Sequence, residues 1–290
     1  MAETFKSTMP GNEGDKPIEA DRYRLIVGDF CPYAQRAYLA LTLSKLEDAI
    51  SLGKVNPEKS SDTFDFGIDE DGVDPVLKVA TMKELYQKTD PDYEGRYTIP
   101  VLVDLTDDKI VNKESAELVE LLGKDFKSLH GEGAYDLFPE GKEEAIAQVI
   151  EDVNRKLLGN IYGMDNGSDK RFESMKKRYT SYLEELDERL STQRYMLGDK
   201  ITAADIFIYT PLIRLEPAHS DIYARGEINL QDYPVLWAYI RDLYQTPEFN
   251  KTTDFEAIQL GYYSMNQDRA NDDVPGDFSH WNEPHGRENL

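Results

Sequence analysis

Between Tyr23 and residue 46 the chain changes its hydrophobic period once, within five residues, and no other stretch limits the possible folds as tightly. Tyr-Arg-Leu-Ile-Val (Tyr23–Val27) is rich in β-forming residues, Gly-Asp-Phe-Cys-Pro follows, and residues 33–46 contain neither Gly nor Pro. In that last stretch Ala34, Ala37, Tyr38 and Leu41 recur at helical spacing, which predicts strand, tight loop, helix. Further on, residues 49–55 suit a second strand. The polar, Asp-rich residues 56–75 suit a loop longer than most connections, and residues 81–88 a short helix. Residues 100–104 and 109–112 flank Leu-Thr-Asp-Asp, a hairpin signal, and residues 114–124 suit another helix.

The order β-α-β, then a connection, then β-β-α is the thioredoxin pattern. It places an α/β thioredoxin-like domain in residues 1–130, behind a polar lead-in. From about residue 142 the character changes to long helical segments at 143–158, 170–190, 202–215 and 234–244, without strand-like alternation. Residues 131–290 are therefore expected to form an all-α second domain, with an irregular tail from residue 268 strapped over the surface. A chain of 290 residues with 40% hydrophobic and 11% aromatic content is sufficient for two cores. No run approaches the roughly 20 apolar residues that span a bilayer, and the first residues lack the basic and apolar parts of a signal peptide. A net charge of -23 disfavours nucleic acid and anionic membrane as partners. The single cysteine excludes an intrachain disulfide and suits a reducing, cytoplasmic setting, in which the sequons at Asn166 and Asn250 are accidental.

That cysteine, Cys31, stands where the strand gives way to the helix, followed by Pro32, a residue favoured at the first helical position. The helix start brings unpaired N–H groups and the positive end of a dipole toward the sulfur, an environment that favours thiolate. The alternative is a buried structural cysteine. A dithiol oxidoreductase needs a second cysteine three residues on, where this chain has Ala34. A mixed disulfide at Cys31 would have to be resolved by a thiol from solution.

Ile99-Pro100 opens the third expected strand. It reads either as a plain structural turn or as the cis-proline that faces the cysteine in thioredoxin folds. Glu114-Ser115 opens the following helix, as a cap, as a carboxylate-holding N-terminus, or both. Asp69-Glu-Asp-Gly72 fails as a calcium loop because its frame puts Gly67 and Lys78 at ligand positions. His130, His219, His280 and His285 show no metal-ligand spacing, and no phosphate-binding glycine loop occurs, so no metal is expected. Thr202 and Asp205 form a capping box flanked by Ile201 and Ile206, a folding signal worth about 1 kcal/mol or more.

Taken together, Cys31-Pro-Tyr-Ala, Ile99-Pro100, Glu114-Ser115 and Gly198-Asp-Lys-Ile-Thr-Ala-Ala-Asp205 resemble the glutathione transferase superfamily. Gly95-Arg-Tyr-Thr-Ile-Pro-Val-Leu, Val111-Asn-Lys-Glu-Ser115, Gln193-Arg-Tyr-Met-Leu-Gly-Asp, Asp232-Tyr-Pro-Val-Leu-Trp-Ala-Tyr and Pro284-His-Gly-Arg287 narrow the resemblance to the xi class, the glutathionyl-hydroquinone reductases. The resemblance implies an all-α C-terminal domain of glutathione transferase type, Cys31 as nucleophile, and Arg96, Ile99, Glu114 and Ser115 as glutathione-binding positions with Pro100 as the cis-proline. It also implies that Tyr162 and Tyr263 line an aromatic substrate pocket, and that the protein is a homodimer. Tyr33 stands where the family has Trp, a mild change. Asp62 of Asp62-Thr-Phe64 stands where a family Trp packs over glutathione, so the expected co-substrate is glutathione or another low-molecular-weight thiol, not tightly held.

The expected reaction removes glutathione from aromatic quinone or hydroquinone conjugates by monothiol exchange at Cys31. The hydroxyls of Tyr162 or Tyr263 would orient the phenol oxygens and assist proton transfer; the alternative is that these tyrosines only pack. Rival readings are a thioltransferase or dehydroascorbate reductase of the omega kind, and a thiol-binding scaffold without catalysis.

Overall fold

The computed structural model describes residues 16–59, 62–164, 168–266 and 276–290. The polar lead-in before residue 16, the Asn166 sequon and residues 267–275 of the tail lie outside the described residues. The chain divides into two compact units, one running to Tyr135 and the other beginning at Asp136.

The first unit is built on a four-stranded mixed sheet. Its strands are β1 (Tyr23–Val27), β2 (Ile50–Lys54), β3 (Val101–Asp104) and β4 (Lys109–Asn112), in the order β2-β1-β3-β4. β1 runs parallel to β2, with Leu25 opposite Leu52, and antiparallel to β3, with Leu25 opposite Leu102. The helices are α1 (Pro32–Leu43), α2 (Met82–Thr89) and α3 (Ser115–Gly123). Every residue of β1 is buried, as a central strand covered on both faces requires. That burial includes Arg24, whose guanidinium reaches Asp74 at 2.7 Å. Asp74 belongs to the stretch read as a polar loop, yet its side chain is fully buried, and its other oxygen accepts the N–H groups of Val76 and Leu77. The pair leaves room only for glycine beneath it: a Cβ on Gly53 would come within 2.8 Å of Asp74 and 2.9 Å of Arg24.

Among the described residues, the second unit is helical apart from one isolated bridge between Tyr195 and Gly198. α4 (Glu143–Asp152) passes through a π-helical turn, Val153–Leu158, into α5 (Gly159–Met164). The sequence reading ended this helix at 158, at the glycine. The wider turn carries the helical path through Gly159, and so Tyr162 stands on a helix. α6 (Asp169–Leu190) and α7 (Ala203–Leu212) form the core, and α7 is buried over its whole length. A second π-helical turn, Leu215–His219, leads into α8 (Ser220–Ala224), followed by α9 (Pro234–Tyr244), α10 (Pro247–Lys251) and α11 (Phe255–Ser264).

Asp205 does more than cap α7. Its wholly buried carboxylate accepts the N–H groups of Thr202 and Met196, both at 2.8 Å, and the Tyr239 hydroxyl at 2.7 Å. The described part of the tail, residues 276–290, is irregular apart from one 3-10 turn and mostly exposed, held by two buried side chains. Trp281 is 0% exposed, 4.5 Å from the Trp237 ring, and the buried Arg287 donates to the carbonyls of Leu190, Gln193 and Arg194.

Candidate active site

In the first unit the chain leaves β1 and turns at once. Cys31 donates its N–H to the Gly28 carbonyl at 3.0 Å, takes an extended conformation as the residue capping α1, and accepts the Gln35 N–H at 3.0 Å. Pro32 fills the first helical position, so the partly exposed sulfur stands at the start of a 12-residue helix. The turn is closely packed. A Cβ on Gly28 would meet the Ile99 side chain at 2.6 Å, that of Phe30 at 2.7 Å and that of Val55 at 3.0 Å. Ile99, expected in the thiol site, is therefore packed on the Cys31 turn, and the Ile99–Pro100 peptide is cis.

Arg96 and Cys31 meet electrostatically at Tyr33. Burial raises the Tyr33 hydroxyl above its ordinary pKa, Arg36 and Arg96 draw it down, and the Cys31 sulfur pushes it up. The segment bearing Arg96 rests on a tyrosine cluster. Tyr86 and Tyr93 stack at 4.9 Å, Tyr97 meets both, the Tyr93 hydroxyl donates to the Arg96 carbonyl, and the Tyr86 hydroxyl donates to the Thr98 carbonyl, each at 3.1 Å. Burial raises the Tyr86 hydroxyl above its ordinary pKa, and Tyr93 and Glu114 add to that rise. Glu114 and Ser115 open α3, and the backbone there is held by a residue outside the expected site set. The fully buried Asn112 accepts the Glu114 N–H at 2.8 Å and donates to Glu117 at 3.0 Å. An Asn two residues before an expected helix start is the signal that would have found it.

Asp62 lies beside this group. Its side chain is 70% exposed and stands 3.9 Å from the Lys83 ammonium, which itself lies 5.9 Å over the Tyr97 ring. Two residues on, the Phe64 ring packs 5.2 Å from that of Phe30 in the cysteine turn.

The second unit holds the two tyrosines expected to contact an aromatic substrate. The Tyr162 hydroxyl lies 3.0 Å from that of Tyr262, while the Tyr263 hydroxyl donates to Asp221 at 2.8 Å. Both expected residues pack on a core of Ala218, Ile222, Ile258 and Tyr262, joined by Tyr223 and Phe255. Tyr262, the chain neighbour of Tyr263, is thus the hydroxyl partner of Tyr162, a contact that shows only once the phase of α11 is known. Burial raises the Tyr263 hydroxyl well above its ordinary pKa and Asp221 raises it further, so this phenol stays protonated and acts as a donor. Among the described residues no cluster of three or more His, Cys, Asp or Glu side chains is arranged to hold a metal, and no helix is long and apolar enough to cross a membrane.

With this geometry established, the chain was compared with known proteins. The family model for the glutathione S-transferase N-terminal domain matches residues 30–125, and that for the C-terminal domain matches residues 146–242. The chain is 30% identical over 285 residues to glutathionyl-hydroquinone reductase YqjG of Escherichia coli (strain K12), covering 96% of this chain and 86% of that one. The solved structure of the Xi class glutathione transferase from Natrialba magadii superposes with a TM-score of 0.90 at 31% identity, covering 99% of this chain and 91% of that one. The glutathione-bound structure of YqjG superposes with a TM-score of 0.88 at 28% identity, covering 98% and 96%.

Proposed function

Because the chain belongs to the Xi-class glutathione transferase family, the glutathionyl-hydroquinone reductases, we propose that it removes glutathione from aromatic hydroquinone conjugates by monothiol exchange at Cys31. The observation that carries this reading is the placement of the chain's sole cysteine at the first turn of α1. There a thiolate is favoured by the helix start and has no second cysteine to close on.

In the first step the Cys31 thiolate attacks the sulfur of the conjugate. A sulfur–sulfur bond forms, the bond from sulfur to the ring carbon breaks, and its electron pair stays on that carbon, which takes up a proton to give the hydroquinone. In the second step a thiolate from solution attacks the mixed disulfide, releasing the oxidised disulfide and restoring Cys31. Arg96, Ile99, Glu114 and Ser115 hold the thiol in this proposal. Charge and hydrogen-bonding groups of that kind suit a γ-glutamyl peptide with two carboxylates. Glutathione is the proposed thiol, supported by its presence in the structure of the relative YqjG; Asp62 beside Lys83 leaves another small thiol as the competing co-substrate. Tyr162 and Tyr263 bind the aromatic part, the Tyr263 ring packing with its hydroxyl held by Asp221 and the hydroxyl of Tyr162 directed to the ligand's oxygens. We propose that the protein acts as a homodimer in the cytoplasm, with the dimer tested by light scattering.

Glutathionyl-menadiol, the hydroquinone form of the menadione conjugate, mixed with the protein and glutathione should release menadiol, and Cys31→Ser should abolish that release. Equal turnover by Cys31→Ser would refute the mechanism. Turnover of dehydroascorbate with none of the conjugate would replace the reading by a thioltransferase of another class. Binding without turnover of either would leave a scaffold.

A further inference from the structure

His219 is the second unit's least expected buried group. Its ring is 0% exposed, and neither ring nitrogen has a hydrogen-bond partner among the described residues. Buried polar atoms are rarely left in this state, because each forfeits its hydrogen bonds to water. An apolar side chain of similar size would fill the same space without that penalty.

Three tyrosine rings lie against the imidazole. The Tyr262 ring lies 4.8 Å from it at 79°, the Tyr162 ring 5.6 Å at 70°, and the Tyr223 ring 5.6 Å at 62°, all edge-to-face arrangements. The imidazole touches both members of the hydroxyl pair, Tyr162 and Tyr262, whose oxygens are 3.0 Å apart. Its backbone belongs to the π-helical turn Leu215–His219, where the His219 N–H reaches back to the Arg214 carbonyl at 2.8 Å. Single π turns of this kind occur often at functional sites, because the widened turn re-aims one side chain. Burial, reinforced by the nearby Arg214, keeps the ring neutral. A polar imidazole meeting three tyrosine rings edge-to-face makes weak directional contacts that fix how those rings are turned.

We propose that His219 is a positioning residue. Packed against both rings, it fixes how Tyr162 and Tyr262 are turned and so holds their hydroxyl pair in place beside the aromatic ligand. The inference rests on the reading of this tyrosine cluster as the aromatic subsite. It adds a residue that touches neither the ligand nor the reacting sulfur.

The test combines His219→Leu, His219→Phe and Tyr262→Phe. With glutathionyl-menadiol, His219→Leu should lower kcat about tenfold, and His219→Phe, which keeps a ring edge, should lose less. The KM for glutathione and the alkylation rate of Cys31 should not change, and the melting temperature should hold or rise. In the Tyr262→Phe background the His219→Leu effect should disappear, since both act through one hydroxyl pair. Wild-type turnover by His219→Leu would overturn the proposal, as would independent, multiplying effects in the double variant. A fall in melting temperature with altered Cys31 alkylation would also overturn it, as the mark of a packing residue. If His219→Leu does not fold, His219→Phe carries the same cycle. If the wild-type protein releases no menadiol, the proposed function fails. The inference is then read separately by titrating menadiol against protein fluorescence: about tenfold weaker binding by His219→Phe upholds it, and equal binding overturns it.

Discussion

The side-chain oxygen of Asn112 accepts the backbone N–H of Glu114 at 2.8 Å, so a fully buried amide at the end of β4 fixes the turn that begins α3. Its amide nitrogen is held in turn by Glu117 at 3.0 Å, which leaves the group no freedom to rotate. Replacing it by alanine frees the Glu114–Ser115 backbone and removes a buried, doubly hydrogen-bonded amide, at a cost of about 1–3 kcal/mol.

On the proposed function, Asn112→Ala should raise the KM for glutathione about tenfold with a much smaller change in kcat, because the turn binds thiol and does not touch the sulfur that reacts. Steady-state kinetics with the thiol varied at saturating conjugate will read this. An unchanged KM would remove Glu114 and Ser115 from the thiol site.

The Arg24–Asp74 pair supports the same sheet from within, at 2.7 Å, with neither side chain more than 5% exposed. Removing the carboxylate leaves an uncompensated guanidinium in a central strand. Asp74→Ala should therefore cost about 3–5 kcal/mol in urea unfolding. It also frees the N–H groups of Val76 and Leu77. A loss below about 1 kcal/mol would show that water reaches Arg24.

Asp104 gives the fold a pH dependence of known sign. Burial alone would raise its carboxyl, but Lys16, the Thr106 N–H and Arg22 outweigh burial and hold it at about 2. A carboxyl depressed in the folded state stabilises above its unfolded pKa, and that contribution is lost as pH falls toward the folded value. The window therefore runs from about pH 4 down to pH 2, and the amount is about 2 kcal/mol. Asp104→Asn should be less stable than wild type by about that amount at neutral pH, with the gap about halved near pH 3. Denaturant titrations of both proteins at the two pH values will check it, and a gap independent of pH would contradict it.

What could be read from the sequence was local. The strand, turn and helix around Cys31 follow from period and from Pro32, and the β3–β4 hairpin from its Leu-Thr-Asp-Asp connection. Contacts across the chain could not be read. Nothing near Arg24 announces that Asp74, fifty positions away, will neutralise it. Gly159 and Gly261 look like helix breakers, and this concealed α5 and α11, whose glycines the surrounding packing accommodates. Trp281 stands in a polar, proline-bounded tail with no periodicity to betray its burial, and His219 offers no metal-like spacing to mark it. The contact between the Tyr162 and Tyr262 hydroxyls could not be read either, because it needs the phase of α11 as well as its existence.

The central claim is that Cys31 takes the sulfur of the conjugate onto itself and yields it to a thiol from solution. Intact-mass measurement of the protein after exposure to glutathionyl-menadiol, the conjugate in its hydroquinone state, with no added thiol, tests this most directly. The predicted result is one glutathionyl group per chain, mapped to Cys31, with an equal amount of menadiol released, and loss of the adduct when glutathione is added. An unmodified Cys31 in a sample that has released menadiol would contradict the account.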